Sequence, residues 1–67
     1  MDYLLKYLEG TFGSTMSPAE VAFVLDQSTG HVRKMCADGT LPAVKIGHRW
    51  HIVTASLAAL LEKGELR

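Results

Sequence analysis

The middle of this 67-residue chain concentrates side chains that donate hydrogen bonds to anions. Four of its seven Lys and Arg residues and all three of its histidines lie between residues 28 and 54: Arg33, Lys34, Lys45, Arg49, His31, His48 and His51. A guanidinium binds a phosphate or a base edge through two parallel hydrogen bonds, and an ammonium binds phosphate as a point charge. Because Asp38 is the one acidic residue here, the stretch carries a net charge of +3 and the rest of the chain −3. The neutral total therefore hides a basic middle that favours binding to a polyanion.

Composition narrows the classes of function. The one cysteine, Cys36, excludes an intramolecular disulfide, and no secretory signal or apolar stretch long enough for a bilayer is recognisable. No Gly-rich phosphate loop, nucleophile elbow or carboxylate pair is present, so we expect no enzyme. No CxxC or HxxxH spacing is present either, so we expect neither a metal nor a cofactor. The sequence predicts a single cytoplasmic domain without a membrane partner.

A helix start is encoded at residues 17–20. Ser17 is a good N-cap, Pro18 suits the first helical position, and Glu20 completes a capping box with Ser17. These signals predict a helix that ends at about Leu25.

A second helix is predicted to follow after a turn of only two residues, Asp26 and Gln27. Ser28 is its N-cap, and Gly39 lies just past its end, where a left-handed residue commonly closes a helix. Its buried stripe has the i, i+3, i+4 spacing and consists of Val32, Met35 and Cys36. Two short helices joined so closely must cross steeply, which is the helix-turn-helix arrangement.

The residues before this pair predict a short helix over 3–8, capped by Asp2 and stopped at Gly10, and then a linker over 11–15. The segment 1–10 is more apolar than a six-residue helix needs. We expect it to extend the core, and a contact between neighbouring copies is the alternative.

The segment after Pro42 changes to an alternating pattern that predicts a β-hairpin. If all its apolar residues face the core, Ile46 must oppose Trp50, because paired residues share a face. The loop is then Gly47, His48 and Arg49, with Lys45 and His51 pointing outward. The same alternation places Trp50 in the core rather than on an exposed platform.

The last predicted helix begins with Thr54 as its cap, runs to about Lys63 and stops at Gly64. The fold class is therefore mostly α with a small β-hairpin, in the order helix, helix, helix, hairpin, helix. The predicted organisation is an N-terminal helix and linker over 1–15, a binding domain over 16–63 and a tail over 64–67.

Several segments between Met16 and Glu62 share their order and spacing with one known family. They are Ser17-Pro18-Ala19-Glu20-Val21-Ala22, Leu25, Ser28, Val32, Gly39-Thr40-Leu41-Pro42-Ala43, the run from Val44 to Ile52, Leu57 and Leu61. On these residues the chain resembles the excisionase-family DNA-binding domain, a MerR-like winged helix-turn-helix. It departs from that pattern at Asp26, where glycine is usual, at Gln27, where an apolar residue is usual, and at Gly30, which weakens the second helix.

The resemblance implies that the second helix enters the DNA major groove and that the hairpin acts as a wing beside it. Arg33 is assigned to base edges, because a guanidinium reads guanine with two hydrogen bonds. Arg49 is assigned to the minor groove. The other expected DNA contacts are mainly to phosphate and come from Ser28, Thr29, Gly30, His31, Lys34, Lys45, His48 and His51.

The function that the resemblance implies is that of an excisionase, which binds adjacent DNA sites cooperatively, bends DNA and directs an integrase towards prophage excision. Expected partners are double-stranded DNA, neighbouring copies of the chain and an integrase, in a bacterial cytoplasm. A MerR-type regulator usually carries heptads or an effector domain after the winged module, so their absence after the last helix favours the excisionase role. A small stand-alone MerR-like transcription regulator is the alternative within DNA binding. A protein-interaction module that does not bind DNA is the alternative from another class.

Overall fold

A computed structural model describes residues 3–64. The elements are α1 (Tyr3–Phe12), β1 (Thr15–Met16), α2 (Pro18–Leu25), α3 (Thr29–Ala37), β2 (Ala43–Ile46), β3 (Arg49–Val53) and α4 (Thr54–Lys63). The three strands form an antiparallel sheet in the order β1-β3-β2. The fold class predicted from the sequence is confirmed, with one additional short strand.

The core lies where α2, α3 and α4 meet the sheet. The residues that form it are buried or nearly so: Met16, Val21, Ala22, Val32, Met35, Cys36, Leu41, Ile52 and Leu57. The predicted buried stripe of α3 is confirmed, since its three members belong to this cluster. Because α3 buries only that stripe, its opposite face is left to solvent.

The start of α2 and the turn between α2 and α3 confirm the capping signals. The Ser17 hydroxyl accepts a hydrogen bond from the backbone N–H of Glu20, whose carboxylate accepts one from the Ser17 N–H. Asp26 ends α2 in the left-handed region, with φ 57° and ψ 45°, a conformation that Asp tolerates better than most residues. The Ser28 hydroxyl then accepts from the N–H of His31 and starts α3.

Helix α1 is longer than predicted. It passes through Gly10 and ends at Phe12, where Gly13 has a φ of +91°. Glycine inside a helix costs about 1 kcal/mol relative to alanine. The packing of Leu8, which is buried, and of Phe12, which lies against the core, offsets that cost. The proposed cap Asp2 lies outside the described residues.

The segment after α1 is not a linker, because Thr15 and Met16 pair with Val53 and Ile52 of β3. Thr54 is likewise not the cap of α4. That position is Val53, which makes no side-chain capping bond, and Thr54 is the first helical residue. The buried Thr54 hydroxyl instead donates to the carbonyl oxygen of Gly13 over 2.8 Å. This bond and the Thr54 N–H, which donates to Ser14, tie the start of α4 to the N-terminal segment. Gly64 ends α4 as predicted, with φ 71°.

The predicted register of the hairpin is wrong. Ile46 pairs with Arg49 and Lys45 with Trp50, so the loop contains two residues, Gly47 and His48. Gly47 has a φ of +64°, which the first position of a type II′ turn requires. The prediction assumed that an arginine opposite Ile46 would be buried. Both of these side chains are exposed at the hairpin tip, so their pairing carries no such penalty.

The corrected register divides the hairpin residues differently between its two faces. The inner face carries Ala43, Lys45, Trp50 and Ile52, and only Ile52 is fully buried. The outer face carries Val44, Ile46, Arg49 and His51. Lys45 therefore does not point outward with His51 as predicted, and two apolar residues expected in the core lie outside it.

Candidate nucleic-acid interface

Helix α3 presents polar side chains on the face opposite its buried stripe. Arg33, Lys34, His31 and Gly30 are exposed, and Thr29 is half-buried. Thr29 and Arg33 are one turn apart, so they share a face. Because the other side of α3 is fixed in the core, this row has a defined orientation relative to the rest of the fold.

A cleft lies between α3, the start of α2 and the hairpin, with a volume of about 480 Å³. The side of the cleft formed by α3 carries Thr29 and Arg33, and the hairpin side carries His48, Arg49, Trp50 and His51. The remaining lining comes from residues 15–20. The fold thus brings five of the predicted DNA-binding residues to one concave surface.

The inner face of the hairpin adds a lysine that is held on an aromatic ring. Lys45 Nζ lies 5.6 Å from the centroid of the Trp50 ring, within the range of a cation–π interaction. Lys45 itself is exposed, so its ammonium remains available to an anion. Trp50 was predicted to lie in the core. It is half-buried and packs against the core, but it also lines the cleft. The alternation of Trp50 with Ile52 in the sequence predicts only that Trp50 is buried, not that it lines a cleft.

The start of α3 offers backbone donors as well as side chains. The Ser28 hydroxyl accepts a hydrogen bond from the N–H of His31, and the Ser28 carbonyl oxygen accepts one from the N–H of Val32. The N–H groups of Thr29 and Gly30 belong to the first helical turn, which has no intrahelical acceptors. A Cβ built on Gly30 would meet nothing within 4 Å. No packing constraint therefore explains glycine at this position, where the helix backbone is open to a partner.

The remaining predicted residues lie outside the cleft lining. Gly30, His31 and Lys34 are exposed on α3, and Ser28 is exposed at its cap. Lys34 lies in the last turn of α3, which ends at Asp38, and His31 lies in the first turn. The pKa of Asp38 is lowered mainly by hydrogen bonds from the side chain and the backbone of Thr40, with smaller contributions from the charges of Lys34 and His31.

Two observations within residues 3–64 concern metal binding and the reactivity of the thiol. No group of three or more His, Cys, Asp or Glu residues in that range is arranged to hold a metal ion. Cys36 is buried, and burial, followed by the charge of Asp38, raises the pKa of its thiol. The described helices include none with the length and apolar character needed to cross a membrane.

Comparison with known proteins identifies a family for this chain. The profile of a family described as a helix-turn-helix domain matches residues 15–65, which is more than half of the chain. Neither a curated protein nor a solved structure matches the chain significantly. The matched range begins at β1 and includes every residue that lines the cleft.

Proposed function

The chain belongs to the helix-turn-helix domain family and is a small DNA-binding domain, and on that premise we propose that it is an architectural protein of the excisionase type. In this role it binds adjacent DNA sites cooperatively, bends the duplex and directs an integrase towards excision. The observation that carries the proposal is the cleft in which α3 and the hairpin present arginines to the same space.

The major-groove contacts are assigned to α3. Arg33 reads a base edge, and Thr29 and Lys34, with Ser28 at the cap, hold phosphates on either side. One bidentate arginine–guanine contact contributes about 1–3 kcal/mol of discrimination between bases. Replacing Arg33 by alanine is therefore expected to weaken binding about 5- to 150-fold and to relax the base preference at one position. Replacing Lys34 should weaken binding to all sequences alike.

The wing contacts are assigned to the hairpin. Arg49 at the two-residue turn is suited to the minor groove, where narrow A·T-rich segments concentrate negative potential. Lys45, His48 and His51 reach flanking phosphates. Four Lys and Arg side chains in total predict a slope of log K against log salt of about −3 to −4. So few phosphate contacts give one copy a weak grip, which is why the proposal requires several copies on adjacent sites.

Gly30 provides a test that separates DNA contact from folding. Because its backbone is helical and its Cβ would meet open space, Gly30→Ala is expected to stabilise the protein, by up to about 1 kcal/mol. If α3 approaches DNA closely at this point, the same change lowers DNA affinity. A variant that is more stable and binds DNA as well as the wild type would exclude a close contact at Gly30.

The architectural role is tested by measuring DNA shape together with occupancy. Duplexes that carry one, two or three sites, labelled at both ends, are titrated while energy transfer between the ends is recorded. The proposal predicts stepwise cooperative filling and an end-to-end distance that shortens with each step. Lys63→Ala removes a positive charge on α4, outside the cleft. It is the control for charge removal and is expected to fill the sites and shorten the end-to-end distance like the wild type. Tight binding to one site without bending would instead favour the small stand-alone transcription regulator.

A further inference from the structure

An acidic side chain lies in the cleft that presents the arginines. Glu20 belongs to the first turn of α2, is half-buried and lines the cleft together with Arg33 and Arg49. Among the described residues that line the cleft, Glu20 is the one Asp or Glu. A carboxylate beside DNA repels phosphate, so Glu20 opposes the binding that the two arginines favour. Affinity for DNA therefore does not account for a negative charge at this position.

Glu20 also has a structural role, and that role does not require its charge. Its Oε1 atom accepts a hydrogen bond from the Ser17 N–H over 2.9 Å, and its own N–H donates to the Ser17 hydroxyl over 3.2 Å. Glutamine completes the same capping box. A negative charge in the first turn of a helix adds a small favourable interaction with the helix dipole. The cap thus fixes where the side chain lies, but a neutral amide would serve it as well.

The capping bond leaves the carboxylate able to accept further hydrogen bonds. An ionised carboxylate only accepts, and its two oxygens together offer about four lone pairs. The bond from Ser17 N–H uses one of them, at Oε1. Because Glu20 lines the cleft, a donor group of a molecule that enters the cleft can use the others. The cleft therefore combines the donors of Arg33 and Arg49 with an acceptor held in a fixed place.

The major-groove edge of a G·C base pair matches an arginine and a glutamate used together. Guanine presents the acceptors N7 and O6, and cytosine presents a donor, its N4 amino group. An arginine binds the guanine acceptors, and a carboxylate accepts from cytosine N4. Arg33 on α3 and Glu20 on α2 line one cleft and supply these two groups. Thymine carries the acceptor O4 where cytosine has its amino group, so it would leave the carboxylate unpaired.

We propose that Glu20 is a specificity-determining residue that accepts a hydrogen bond from the N4 amino group of a cytosine in the major groove. The inference deepens the proposed function and rests on it, because it requires the cleft to face the major groove. The carboxylate disfavours every arrangement in which it meets a phosphate or a base acceptor. It therefore lowers the affinity for DNA in general and raises the discrimination between sequences.

The test compares Glu20→Gln with the wild type on a DNA site selected by the wild type from a pool of randomised duplexes. Glutamine keeps the capping box, so the melting temperature should change little, and glutamine pairs with adenine. The preference for cytosine over adenine at one position of the site should fall about fivefold or more in the variant. Binding to random-sequence duplex should become about fivefold tighter, because one repulsive charge is removed. Glu9→Gln, the same change at an exposed position on α1, is the matched control and should alter neither quantity.

A modified base tests the same contact with the wild-type protein. N4-methylcytosine still pairs with guanine, but a methyl group replaces the amino hydrogen that faces the major groove. At the position that Glu20 reads, this base should weaken wild-type binding about fivefold or more and affect Glu20→Gln less. At the other cytosines of the site, it should affect the wild type and the variant alike.

The possible results separate this inference from the proposed function. A fall in cytosine preference in Glu20→Gln, together with the weaker wild-type binding to N4-methylcytosine, supports the inference. An unchanged preference, or equal tightening on the selected and the random duplexes, would overturn it, because Glu20 would then act through its charge alone. The DNA-binding function would stand in that case. No binding of the wild type to any duplex would overturn the proposed function, and the inference with it.

Discussion

Replacing Thr54 by valine removes the hydrogen bond that joins the start of α4 to the end of α1. Valine has nearly the shape of threonine, so the core volume is preserved while the hydroxyl is lost. In the native protein this hydroxyl is fully buried and donates to the Gly13 carbonyl over 2.8 Å. The variant therefore leaves the Gly13 carbonyl without its hydroxyl donor.

The expected loss follows from that geometry. Removing one partner of a buried hydrogen bond costs about 1–3 kcal/mol. Because Gly13 itself is exposed, water can reach part of the carbonyl, which places the expected loss at about 1–2 kcal/mol. A chain of this length has a total stability of about 3–10 kcal/mol. The melting temperature should therefore fall by roughly 5–15 °C.

The assay is thermal and urea unfolding followed by circular dichroism, with Thr11→Val as the control. Thr11 is exposed on α1, so the same substitution there should change stability by less than about 0.5 kcal/mol. Below its melting temperature, Thr54→Val should bind DNA like the wild type, because Thr54 is not among the residues that line the cleft. Equal stability of Thr54→Val and the wild type would refute the claim that this bond holds the N-terminal segment to the domain.

Three further predictions concern acid stability, the hairpin turn and the buried thiol. The pKa of Asp38 is lowered in the folded state, chiefly by Thr40, so its contribution to stability is present above the ordinary value of 3.8 and is lost as the pH falls through the lower folded value. Asp38→Asn should abolish that part of the acid titration of stability, and an unchanged pH profile would contradict the assignment. Gly47→Ala should destabilise the protein by about 1–2 kcal/mol in urea unfolding because φ is +64°, although its Cβ meets no atom within 4 Å; no loss would show that the turn relaxes to another form. Cys36 should react with a thiol reagent about 100-fold more slowly in the folded than in the unfolded protein, and equal rates would contradict its burial.

The helix-turn-helix could be predicted from the sequence because its signals are local. Ser17 and Glu20 bond to each other across three residues, and Ser28 caps α3 through a residue three positions away. Such bonds depend little on the rest of the fold. Gly39, with φ +85°, likewise follows α3 as the spacing predicted.

The hairpin and the N-terminal segment depended on contacts distant in sequence. The choice between a two- and a three-residue loop rests on whether Ile46 and Arg49 are buried, and the alternating pattern does not reveal that both lie in solvent. Thr54 has the residue type of a cap, but its partner is 41 positions away at Gly13. The two-residue strand β1 has no pattern of its own and exists because Ile52 and Val53 pair with it.

The candidate site was predictable in its residue types but not in its arrangement. Arg33 and Arg49 were assigned to DNA from charge, position and resemblance, and the fold places both at one cleft. That Lys45 lies on the Trp50 ring follows only from the two-residue loop, which pairs these residues on one face. Because the predicted loop is one residue too long, it places Lys45 on the outer face of the hairpin, whereas Lys45 lies on the inner face.

A salt titration of binding to a single-site duplex is the most direct test of whether the cleft between α3 and the hairpin binds duplex DNA. The wild type, the Arg33→Ala, Arg49→Ala double variant and a Lys6→Ala, Lys63→Ala control are compared by fluorescence anisotropy. If the cleft binds DNA, the slope of log K against log salt is about −3 to −4 for the wild type and the control. The double variant, which lacks two of the four cationic side chains counted in that slope, then binds much more weakly with a slope shallower by about 2. Equal affinity and slope in the double variant and the wild type would show that the cleft does not bind DNA.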